Sequence, residues 1–369
     1  MFTFRAPKWI SQSQAPARRG WAAVALAVGS SVLVSCGSAA SPQPSPSAQS
    51  ATNSTQAAAA FFRGKTITLI APDAPGGGYD TWDRLVAPYL AKALGAQVRV
   101  VNVPQAGTIV GTNEMAASKP DGLTLGDVAV GGDIGNLIEH QPGQQFDLTK
   151  LTWLAGPTLE PVAIFATPAS HFQHFSDLLA LKAGGPSVPV IDTRSGAGDL
   201  TNRVIFNLFG IPHRLLTGYG SSKELEAGFL RGDGSIASVT YSSWRSLVEA
   251  RKAIPLLVTT LQTQWPAAPE ATTIGQLLQS HNLTAQQKTA LTTLANITSL
   301  AFDFAGPPNI PPDRVAVLRQ AFQTALTNPA LLSQARKEGL TVDYISGSKL
   351  AQLIRQTIDN SQSLTPYLK

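Results

Sequence analysis

The chain of 369 residues is long enough for two ordinary domains or one large one. Its apolar content of 43% and charged content of 14% exclude wholesale disorder and allow a sizeable core. The formal net charge of +5 falls to +1 without the four basic residues of the first 35 positions, Arg5, Lys8, Arg18 and Arg19, so there is no electrostatic case for nucleic-acid binding.

Residues 1–35 have the organisation of a bacterial lipoprotein signal peptide. Trp21–Val34 is an apolar stretch shorter than a comfortable membrane span, and Leu33-Val34-Ser35-Cys36-Gly37 resembles a lipobox. We therefore expect lipidation at Cys36, the only cysteine of the chain, with an ordinary small buried cysteine as the alternative. A lipidated Cys36 leaves the exported domain without a disulfide. Arg18-Arg19 leaves open whether export uses the Sec or the twin-arginine route.

Residues 36–60 are rich in Ser, Ala, Pro, Gln and Asn and almost lack large apolar side chains. Such a composition cannot bury enough surface to offset the entropy lost on ordering. We predict a disordered tether that holds the domain off the membrane, with the folded part starting near Phe61.

Strand-like and helix-like segments alternate after Phe61. The strand-like runs are Thr66–Ala71, Val98–Val103, Leu123–Val130, Val162–Thr167, Val188–Thr193, Leu215–Thr217, Ile236–Thr240 and Leu256–Thr259. The helix-like runs between them are Tyr79–Leu94, Gly111–Ser118, Phe175–Leu181, Asp199–Phe209, Ser221–Arg231 and Trp244–Ala250. This alternation predicts an α/β protein with parallel sheets and right-handed crossovers. The strands are many for one small sheet, so two lobes are expected.

The expected lobe 1 starts with residues 61–165, lobe 2 comprises residues 166–300, and residues 301–369 return to lobe 1. The returning segment contains three helix-like runs, Pro311–Asn328, Pro329–Gly339 and Ser348–Leu364. The first two runs each begin near a proline, and the second ends at a glycine, as is typical of helix starts and ends. A C-terminal helical block that packs back onto the first lobe is common in two-lobed binding proteins.

The stretch Pro75-Gly76-Gly77-Gly78 joins a strand-like run to a helix-like run. Glycine permits a positive φ and close approach of backbone to a ligand, and the first turn of a helix presents unpaired N–H groups with a partial positive charge. Such a turn predicts an anion site. Asp80 lies in the first turn of the helix, where a carboxylate acts as a helix cap, so we assign it a structural role.

Three further Gly-rich turns also follow strand-like runs and precede helix-like runs. They are Val130-Gly131-Gly132-Asp133, Thr193-Arg194-Ser195-Gly196-Ala197-Gly198-Asp199 and Thr217-Gly218-Tyr219-Gly220-Ser221-Ser222. A nucleotide phosphate is a poor candidate for the anion, because no Lys-Ser/Thr pair follows Gly78 and no turn has the third glycine of the dinucleotide fingerprint. Open α/β sheets bind ligands at the carboxyl ends of their strands, so the turns are expected to face one another across a cleft.

Four motifs occur in order in the first part of the chain. They are Ile67-Thr68-Leu69-Ile70-Ala71-Pro72, Ala74-Pro75-Gly76-Gly77-Gly78-x-Asp80, Val100-Val101-Asn102-x-Pro104-x-Ala106-Gly107-x-x-Val110-Gly111-Thr112 and Lys119-Pro120-Asp121-Gly122-x-Thr124-Leu125. Together they resemble the tripartite tricarboxylate transporter substrate-binding family, also called Bug proteins. Weaker similarity continues through Phe146-Asp147, Gly218-Tyr219-Gly220-Ser221 and Phe304-Ala305-Gly306-Pro307-Pro308. The resemblance covers roughly residues 62–369.

The resemblance implies a type II, Venus-flytrap periplasmic binding protein that is not an enzyme and that holds a small carboxylate between its lobes, largely by backbone amides. The ligand-binding residues that it implies are Ala74, Gly76, Gly77, Ala106, Gly107, Thr108, Gly131 and Gly132 in lobe 1 and Ser195, Gly196, Gly198, Tyr219, Gly220, Ser221 and Ser242 in lobe 2. The implied partner is a membrane transporter, and we expect no cofactor. The expected protein is a monomer, anchored by lipid to the outer face of the cytoplasmic membrane or periplasmic.

Four positions depart from the family pattern. Asp73 stands where an aromatic residue is usual beside the ligand, and it would repel an anion unless it points away or is protonated. Gln105 and Thr108 replace usual glycines, and Tyr79 replaces a small residue. These changes predict a narrower cleft that is less suited to a dianion.

Other patterns give weaker indications of chemistry. His171 and His174 have the spacing of a helical metal pair, but no nearby Cys or acidic cluster completes a ligand set, so we expect no metal site. No Gly-x-Ser-x-Gly elbow occurs. Arg194 and Arg203 are candidates for a carboxylate clamp, with an ordinary surface role as the alternative. The alternative functions are a ligand-presenting receptor for a sensor kinase and an exported α/β enzyme acting on a phosphorylated substrate.

Overall fold

The computed structural model of the chain describes residues 46–140, 142–181, 184–193, 196–280 and 282–368. The predicted signal peptide and Cys36 lie outside these residues, and so do Arg194 and Ser195 of the third Gly-rich turn. Among the described helices, none is both long enough and apolar enough to cross a membrane.

In the described part of the chain, twelve strands form two six-stranded sheets. The strands are β1 (Thr66–Ala71), β2 (Gln97–Asn102), β3 (Thr124–Val128), β4 (Thr152–Gly156), β5 (Val162–Ala166), β6 (Val188–Thr193), β7 (His213–Tyr219), β8 (Ile236–Thr240), β9 (Ile254–Val258), β10 (Thr272–Thr273), β11 (Asp303–Gly306) and β12 (Ile345–Ser346).

Helices cover both sheets and connect most of their strands. The α-helices are α1 (Pro46–Phe62), α2 (Gly78–Leu94), α3 (Ile109–Ala116), α4 (Val130–Ile138), α5 (Phe175–Leu179), α6 (Ala197–Phe209), α7 (Ser222–Arg231), α8 (Tyr241–Glu249), α9 (Ile274–Ser280), α10 (Ala285–Thr298), α11 (Pro312–Leu326), α12 (Pro329–Lys337) and α13 (Gly347–Asn360). Short 3₁₀ segments lie at Gln105–Thr108, Pro168–Ser170 and Ser361–Tyr367.

The two sheets share the layout of their five inner and far-edge strands, differ in the direction of one edge strand, and define two lobes. The first sheet has the order β12-β4-β11-β3-β1-β2 and the second the order β10-β9-β5-β8-β6-β7. We call each sheet with its helices the first and the second lobe. Parallel sheets were predicted, but both sheets are mixed. Strand β11 runs antiparallel to β3 and β4, β12 runs antiparallel to β4, and β5 runs antiparallel to β8 and β9. Strands β5 and β11 are the first strands after the chain passes from one lobe to the other.

The boundary between the first and the second lobe lies earlier in the chain than predicted. Strand β5 pairs with β8 and β9, so the chain enters the second lobe between Gly156 and Val162 rather than after residue 165. The chain returns between α10 and β11. The C-terminal helices then add to the first lobe, where α11 lies beside α2 and α13 lies beside β4.

Helix α1 occupies part of the segment predicted to be a disordered tether. Its C-terminal end supplies Ala58 and Phe62, which are buried, and Phe61, whose ring lies 3.6 Å from the Arg314 guanidinium carbon. This apolar end packs against α11. The ordered part therefore starts before Phe61. The helix is stabilised because the apolar side chains at its C-terminal end pack against the rest of the protein.

Among the described residues, three hydrophobic clusters form the core. One lies under the first sheet around Trp82, Phe304 and Phe322, and another lies in the second lobe around Phe165 and Trp244. The largest cluster includes side chains from both lobes, among them Ile134 of α4, Phe206 of α6 and Leu291 of α10. The lobes are therefore joined by packed side chains as well as by the chain itself.

Candidate ligand-binding cleft

A cleft lies between the two lobes, and both contribute to its walls. Its empty volume is about 780 Å³ including the solvent at its mouth. The space that the centre of a water molecule can reach is about 120 Å³, which is room for several water molecules. Lining residues come from the loop after β1, from Thr193 at the end of β6 and from Val239 and Thr240 at the end of β8. The cleft therefore lies at the carboxyl ends of parallel strands, as predicted for an open α/β sheet.

Six helices begin at the wall of this cleft. The lining residues at or next to the helix starts are Gly78 of α2, Thr108 before α3, Ala129 before α4, Gly196 before α6, Ser221 before α7 and Thr240 before α8. The first amides of each helix have no intrahelical acceptor and carry a partial positive charge. Helix starts gathered around one cavity can provide N–H donors for an anion without any cationic side chain. Three of their amides already have acceptors within the protein: Gly131 N donates to Leu300 O, Ser222 N to Asp73 and Ser242 N to Glu160.

Glycine is required at the start of α6 because the backbone there is unusually close to its neighbours. Gly196 has φ of +123°, and a Cβ atom at Gly198 would lie 2.1 Å from the carbonyl oxygen of Ser238. Below these residues Ser238 Oγ donates to Asn202 Oδ1 at 2.6 Å, and Asn202 Nδ2 donates to the buried Asp192. This buried network attaches the α6 start to strands β6 and β8.

The Gly76-Gly77-Gly78 turn of the first lobe is held by Asp80. Asp80 Oδ2 accepts from Gly76 N at 2.8 Å and from Arg84 Nε at 2.9 Å, and its Oδ1 accepts from Asn102 Nδ2 at 2.8 Å. Burial alone would raise the pKa of Asp80, but the bonds from Arg84, Gly76 and Asn102 outweigh it and lower the pKa below its usual value. Asp80 thus stays ionised and stabilises the turn rather than facing the cleft.

Asp73 connects the two lobes across the cleft. Its Oδ2 accepts from Ser222 Oγ at 2.8 Å, its Oδ1 accepts from Ala74 N at 2.8 Å, and the Ser222 main-chain N–H also donates to the carboxylate. The residue is 7% exposed. Burial raises the pKa of Asp73, while the hydrogen bonds from Ser222 and Ala74 oppose the rise. The sequence left open whether Asp73 points away from a ligand, and the structure shows that it binds the start of α7.

The remaining walls of the cleft are largely apolar. Tyr79 and Phe302 form one side with ring centroids 5.0 Å apart, and Val162, Leu225 and Val239 contribute aliphatic surface. Among the described lining residues there is no Lys, Arg or His, and Asp73 is the one carboxylate. Arg203, predicted as a possible clamp, instead donates from Nε to both Asp199 oxygens at 3.0 Å.

The structure brings several of the predicted ligand-binding residues together in the cleft. Thr108, Gly196, Gly198, Gly220 and Ser221 line it. Ala106 and Gly107 belong to the 3₁₀ segment that ends at Thr108. Ser195 lies outside the described residues. The role of these residues in binding stays a prediction.

The other predicted residues lie away from this cleft for separate reasons. Ala74 does not line it, and Gly76, Gly77 and Ser242 line a neighbouring cavity beside α7 and α8. The Ser242 N–H donates to Glu160 Oε1 at 2.6 Å.

Gly131, Gly132 and Tyr219 were also expected to contact the ligand; the structure places each against other parts of the protein, and their role in binding stays a prediction. Gly131 and Gly132 are buried in α4, where a Cβ atom at Gly132 would lie 2.6 Å from Gly196 Cα. They provide close contact between the lobes. The Tyr219 hydroxyl donates to Asp233 Oδ2 at 2.9 Å, so its ring turns away from the cleft.

Several lining residues were not predicted from the sequence. Ser222, Ser238, Ser243 and Thr193 add hydroxyl groups, and Phe302 adds an aromatic face. Ser222 follows the predicted Ser221 directly, and Thr193 and Ser238 lie in predicted strands, so a search for hydroxyls near strand ends would have found them. Phe302 had no such signal, because it enters the cleft only through the return of the chain to the first lobe.

The described residues include no group of three or more His, Cys, Asp or Glu placed to hold a metal ion. His174 is instead the residue before α5, where its main-chain N–H donates to Asp177 Oδ2 at 2.8 Å.

Two lobes with matching mixed sheets and an intervening cleft define the fold of periplasmic binding proteins, and solved structures of that class share it. The Rhodopseudomonas palustris protein Rpa4515 with adipate matches with a TM-score of 0.68 at 18% identity, over 82% of this chain and 97% of that one. The protein MatC from the same organism with bound malate matches with a TM-score of 0.67 at 18% identity, over 82% and 99%. The predicted fold class is confirmed.

Curated proteins with a common name are similar to the chain, although no family model matches it. A UPF0065 protein of Cupriavidus necator is 23% identical over 85% of this chain and 90% of its own length. A UPF0065 protein of Pseudomonas sp. is 29% identical over 58% of this chain. The match covers 64% of the length of the Pseudomonas protein. A further match covers 42% of the length of a UPF0065 protein from Agrobacterium vitis. The resemblance to the tripartite tricarboxylate transporter substrate-binding (Bug) family, predicted from the motifs, is thereby confirmed.

Proposed function

We propose that this protein is an extracytoplasmic solute-binding receptor that captures a small carboxylate between its lobes and delivers it to a tripartite tricarboxylate-type transporter. The observation that carries the proposal is the convergence of six helix starts on one cleft between two lobes. A carboxylate fits this arrangement because its oxygens accept several N–H bonds at once in a site shielded from water.

The names of the structural neighbours support this choice of ligand class. Rpa4515 is described with adipate and MatC with malate, and both are small carboxylates. Another neighbour is named as a TctC solute-binding protein and a further one as the periplasmic binding protein BugD. The last two are binding proteins by name, and we extend the same non-catalytic role to this chain.

The remaining parts of the proposal rest on the sequence. Lipid attachment at Cys36 would hold a monomeric receptor at the outer face of the membrane. A sensor kinase is the alternative partner, and co-purification of the membrane partner separates it from a transporter. An exported enzyme is the less favoured alternative, since the described lining residues supply no histidine, lysine or arginine for acid–base work on a phosphorylated substrate.

The proposal is tested by thermal unfolding and calorimetric titration of the full chain with three pairs of acids: butanoate and succinate, hexanoate and adipate, benzoate and terephthalate. At least one of the six is expected to stabilise the protein. Ser243 lines the cleft in the first turn of α8, where an acidic residue is compatible with a helix start. The variant Ser243→Asp should weaken binding by about tenfold or more, because it adds a negative charge beside the anion.

The matched control is Ser246→Asp, which places the same charge on the exposed face of the same helix. It should leave binding unchanged. If none of the six acids binds the folded wild-type protein, the proposal is wrong.

A further inference from the structure

One carboxylate is already present at a helix start in the cleft, and it belongs to the protein. Asp73 extends from the first lobe to the first residue of α7 in the second lobe, where the Oγ–H and N–H of Ser222 donate to it. The two residues are 149 positions apart in the chain. This is the contact that an anionic ligand would make with a helix start in the opposite lobe.

The surrounding backbone is adapted to this carboxylate. Ala74 N donates to its other oxygen at 2.8 Å. A Cβ atom at Gly77 would lie 1.9 Å from Asp73 Oδ2, so the absence of a side chain at Gly77 is what leaves room for the carboxylate. The hydrogen bonds and this space hold Asp73 in place, and a ligand group cannot occupy the same position while Asp73 is there.

The rest of the cleft can hold one further anion. The start of α6 at Gly196-Ala197-Gly198 lines the cleft, and Thr108 adds a buried hydroxyl, Oγ1, that has no hydrogen-bond partner among the described residues. No cationic side chain among the described lining residues would neutralise a second negative charge beside Asp73. Like charges at such short range repel strongly in a site shielded from water.

The body of the ligand would meet apolar surface. Tyr79 and Phe302 present rings to the cleft, and Leu225 and Val239 present aliphatic side chains from the second lobe. An uncharged hydrocarbon or aromatic group is stabilised by removal from water against such walls. A charged or strongly hydrated group would lose its hydration there without compensation.

We propose that the cleft selects monocarboxylates with an uncharged apolar body, because Asp73 stands where the second carboxylate of a dicarboxylate would bind. This inference rests on the proposed function, since it assigns the ligand class of the same cleft. In this proposal Asp73 is the specificity-determining residue. The ligand's single carboxylate binds at the start of α6 and at Thr108.

The test compares acids of equal length that differ by one carboxylate, using the three pairs named above. The wild-type full chain should bind the monocarboxylate of at least one pair about tenfold or more tightly than its dicarboxylate partner. Asp73→Asn keeps the shape and an acceptor for Ser222 but removes the charge. In this variant the dicarboxylate should gain about tenfold or more in affinity, while the monocarboxylate changes by less than about threefold.

Glu226→Gln is the matched control. It removes one negative charge from α7, the helix that Asp73 contacts, but its carboxylate pairs with Lys223 at 2.9 Å outside the cleft. The Glu226→Gln variant should show the same preference among the six acids as the wild type. If Asp73→Asn unfolds, Asp73→Ser provides a second, smaller uncharged replacement, with folding checked by circular dichroism.

The outcomes separate this inference from the proposed function. The inference is wrong if the wild type binds dicarboxylates as tightly as their monocarboxylate partners. It is also wrong if a folded, uncharged Asp73 variant keeps the wild-type preference. In both cases the proposed receptor function still holds. Absence of binding by every acid to wild type and variants would overturn both. A shift of preference in Glu226→Gln as large as in Asp73→Asn would show that general charge, rather than Asp73, sets the selectivity, and would also overturn the inference.

Discussion

Two groups of aspartates in the first lobe differ in their partners, although all are buried. Asp73 and Asp80, beside the Gly-rich turn, accept hydrogen bonds from backbone and side chains. Asp133 in α4 and Asp303 in β11 have no hydrogen-bond partner for either carboxyl oxygen among the described residues. The difference shows that buried carboxyls act in two ways: as hydrogen-bond acceptors that fix a turn or a contact between the lobes, and as carboxyls that lie in apolar surroundings without donors.

The electrostatic consequence follows from solvation. Burial raises the pKa of Asp133 to about 8 and that of Asp303 well above its usual value. For Asp80, hydrogen bonds from Arg84, Gly76 and Asn102 outweigh the effect of burial, and the pKa falls. A buried carboxyl without donors keeps its proton because the ionised form would lose its hydration. The following predictions separate the two groups, from the largest expected effect to the smallest.

The first prediction removes a carboxylate that has partners. Asp80→Ala should lower the free energy of unfolding by about 3 kcal/mol, because it removes the acceptor of the Gly76 N–H and of one of the two Asn102 Nδ2 hydrogens in a buried turn. The Arg84 pair contributes little, since the Arg84 side chain is 55% exposed. Urea unfolding of variant and wild type measures the change.

Asp147→Ala is its control, because Asp147 also accepts hydrogen bonds from Thr149 but has a side chain that is 45% exposed. We expect a loss of no more than about 1 kcal/mol there. Equal losses in the two variants would contradict the role given to the buried turn.

The second prediction replaces a carboxyl that lacks partners. In the unfolded chain Asp133 loses its proton near 3.8, whereas in the folded protein it keeps it up to about 8. Its contribution to stability is therefore fully present below pH 3.8 and is lost as the pH rises toward 8. Asp133→Asn cannot ionise, so it should raise the free energy of unfolding at pH 8 by at least about 2 kcal/mol and leave it nearly unchanged at pH 4.

Thermal and urea unfolding from pH 4 to pH 9 measures this difference. The exposed Asp359→Asn controls for the loss of one formal charge and should not reproduce the pH-dependent gain. A variant that is less stable than wild type at every pH would contradict the assignment of Asp133 as a neutral buried carboxyl.

The third prediction weakens the contact between the lobes. Ser222→Ala removes the hydroxyl that donates to Asp73 but keeps the main-chain donor of Ser222 and that of Ala74. The free energy of unfolding should fall by about 1 kcal/mol, the usual value for one hydrogen bond to a partly buried group. Ser246→Ala on the exposed face of α8 should change it by less than about 0.5 kcal/mol. Identical effects of the two variants would argue against a stabilising contact at Asp73.

Much of the local structure was predictable because it depends on short-range patterns. Strands β1, β6 and β8 have the predicted bounds, since each is an apolar run bordered by turn residues. Helix α10 was missed because its exposed face is rich in Thr and Gln and its buried face became apparent only against α4 and α6. The tether was predicted too long, because the docking of Phe61 and Phe62 depends on α11.

Within the cleft, the sequence located the Gly-rich turns but not which of them face the cavity. The third turn and the turn before α7 contribute lining residues, whereas Gly131 and Gly132 are used for contact between the lobes. Tyr219 lies beside Gly220 in the chain, but its ring faces the other way. Neighbours in sequence share a turn, yet only the packing of helix on helix determines which of their atoms reach the cleft.

The sequence by itself determined the alternation of strands and helices, the glycines at the strand ends, the structural carboxylate at Asp80 and the family resemblance. These features depend on backbone conformation and on neighbours within a few residues. The tertiary structure alone decided that Asp73 meets Ser222 across the cleft and that Asp133 has no hydrogen-bond partner for its carboxyl oxygens within the described part of the chain. Both outcomes depend on groups brought together from distant parts of the chain, because only the folded protein sets the hydration and the donors that surround a buried charge.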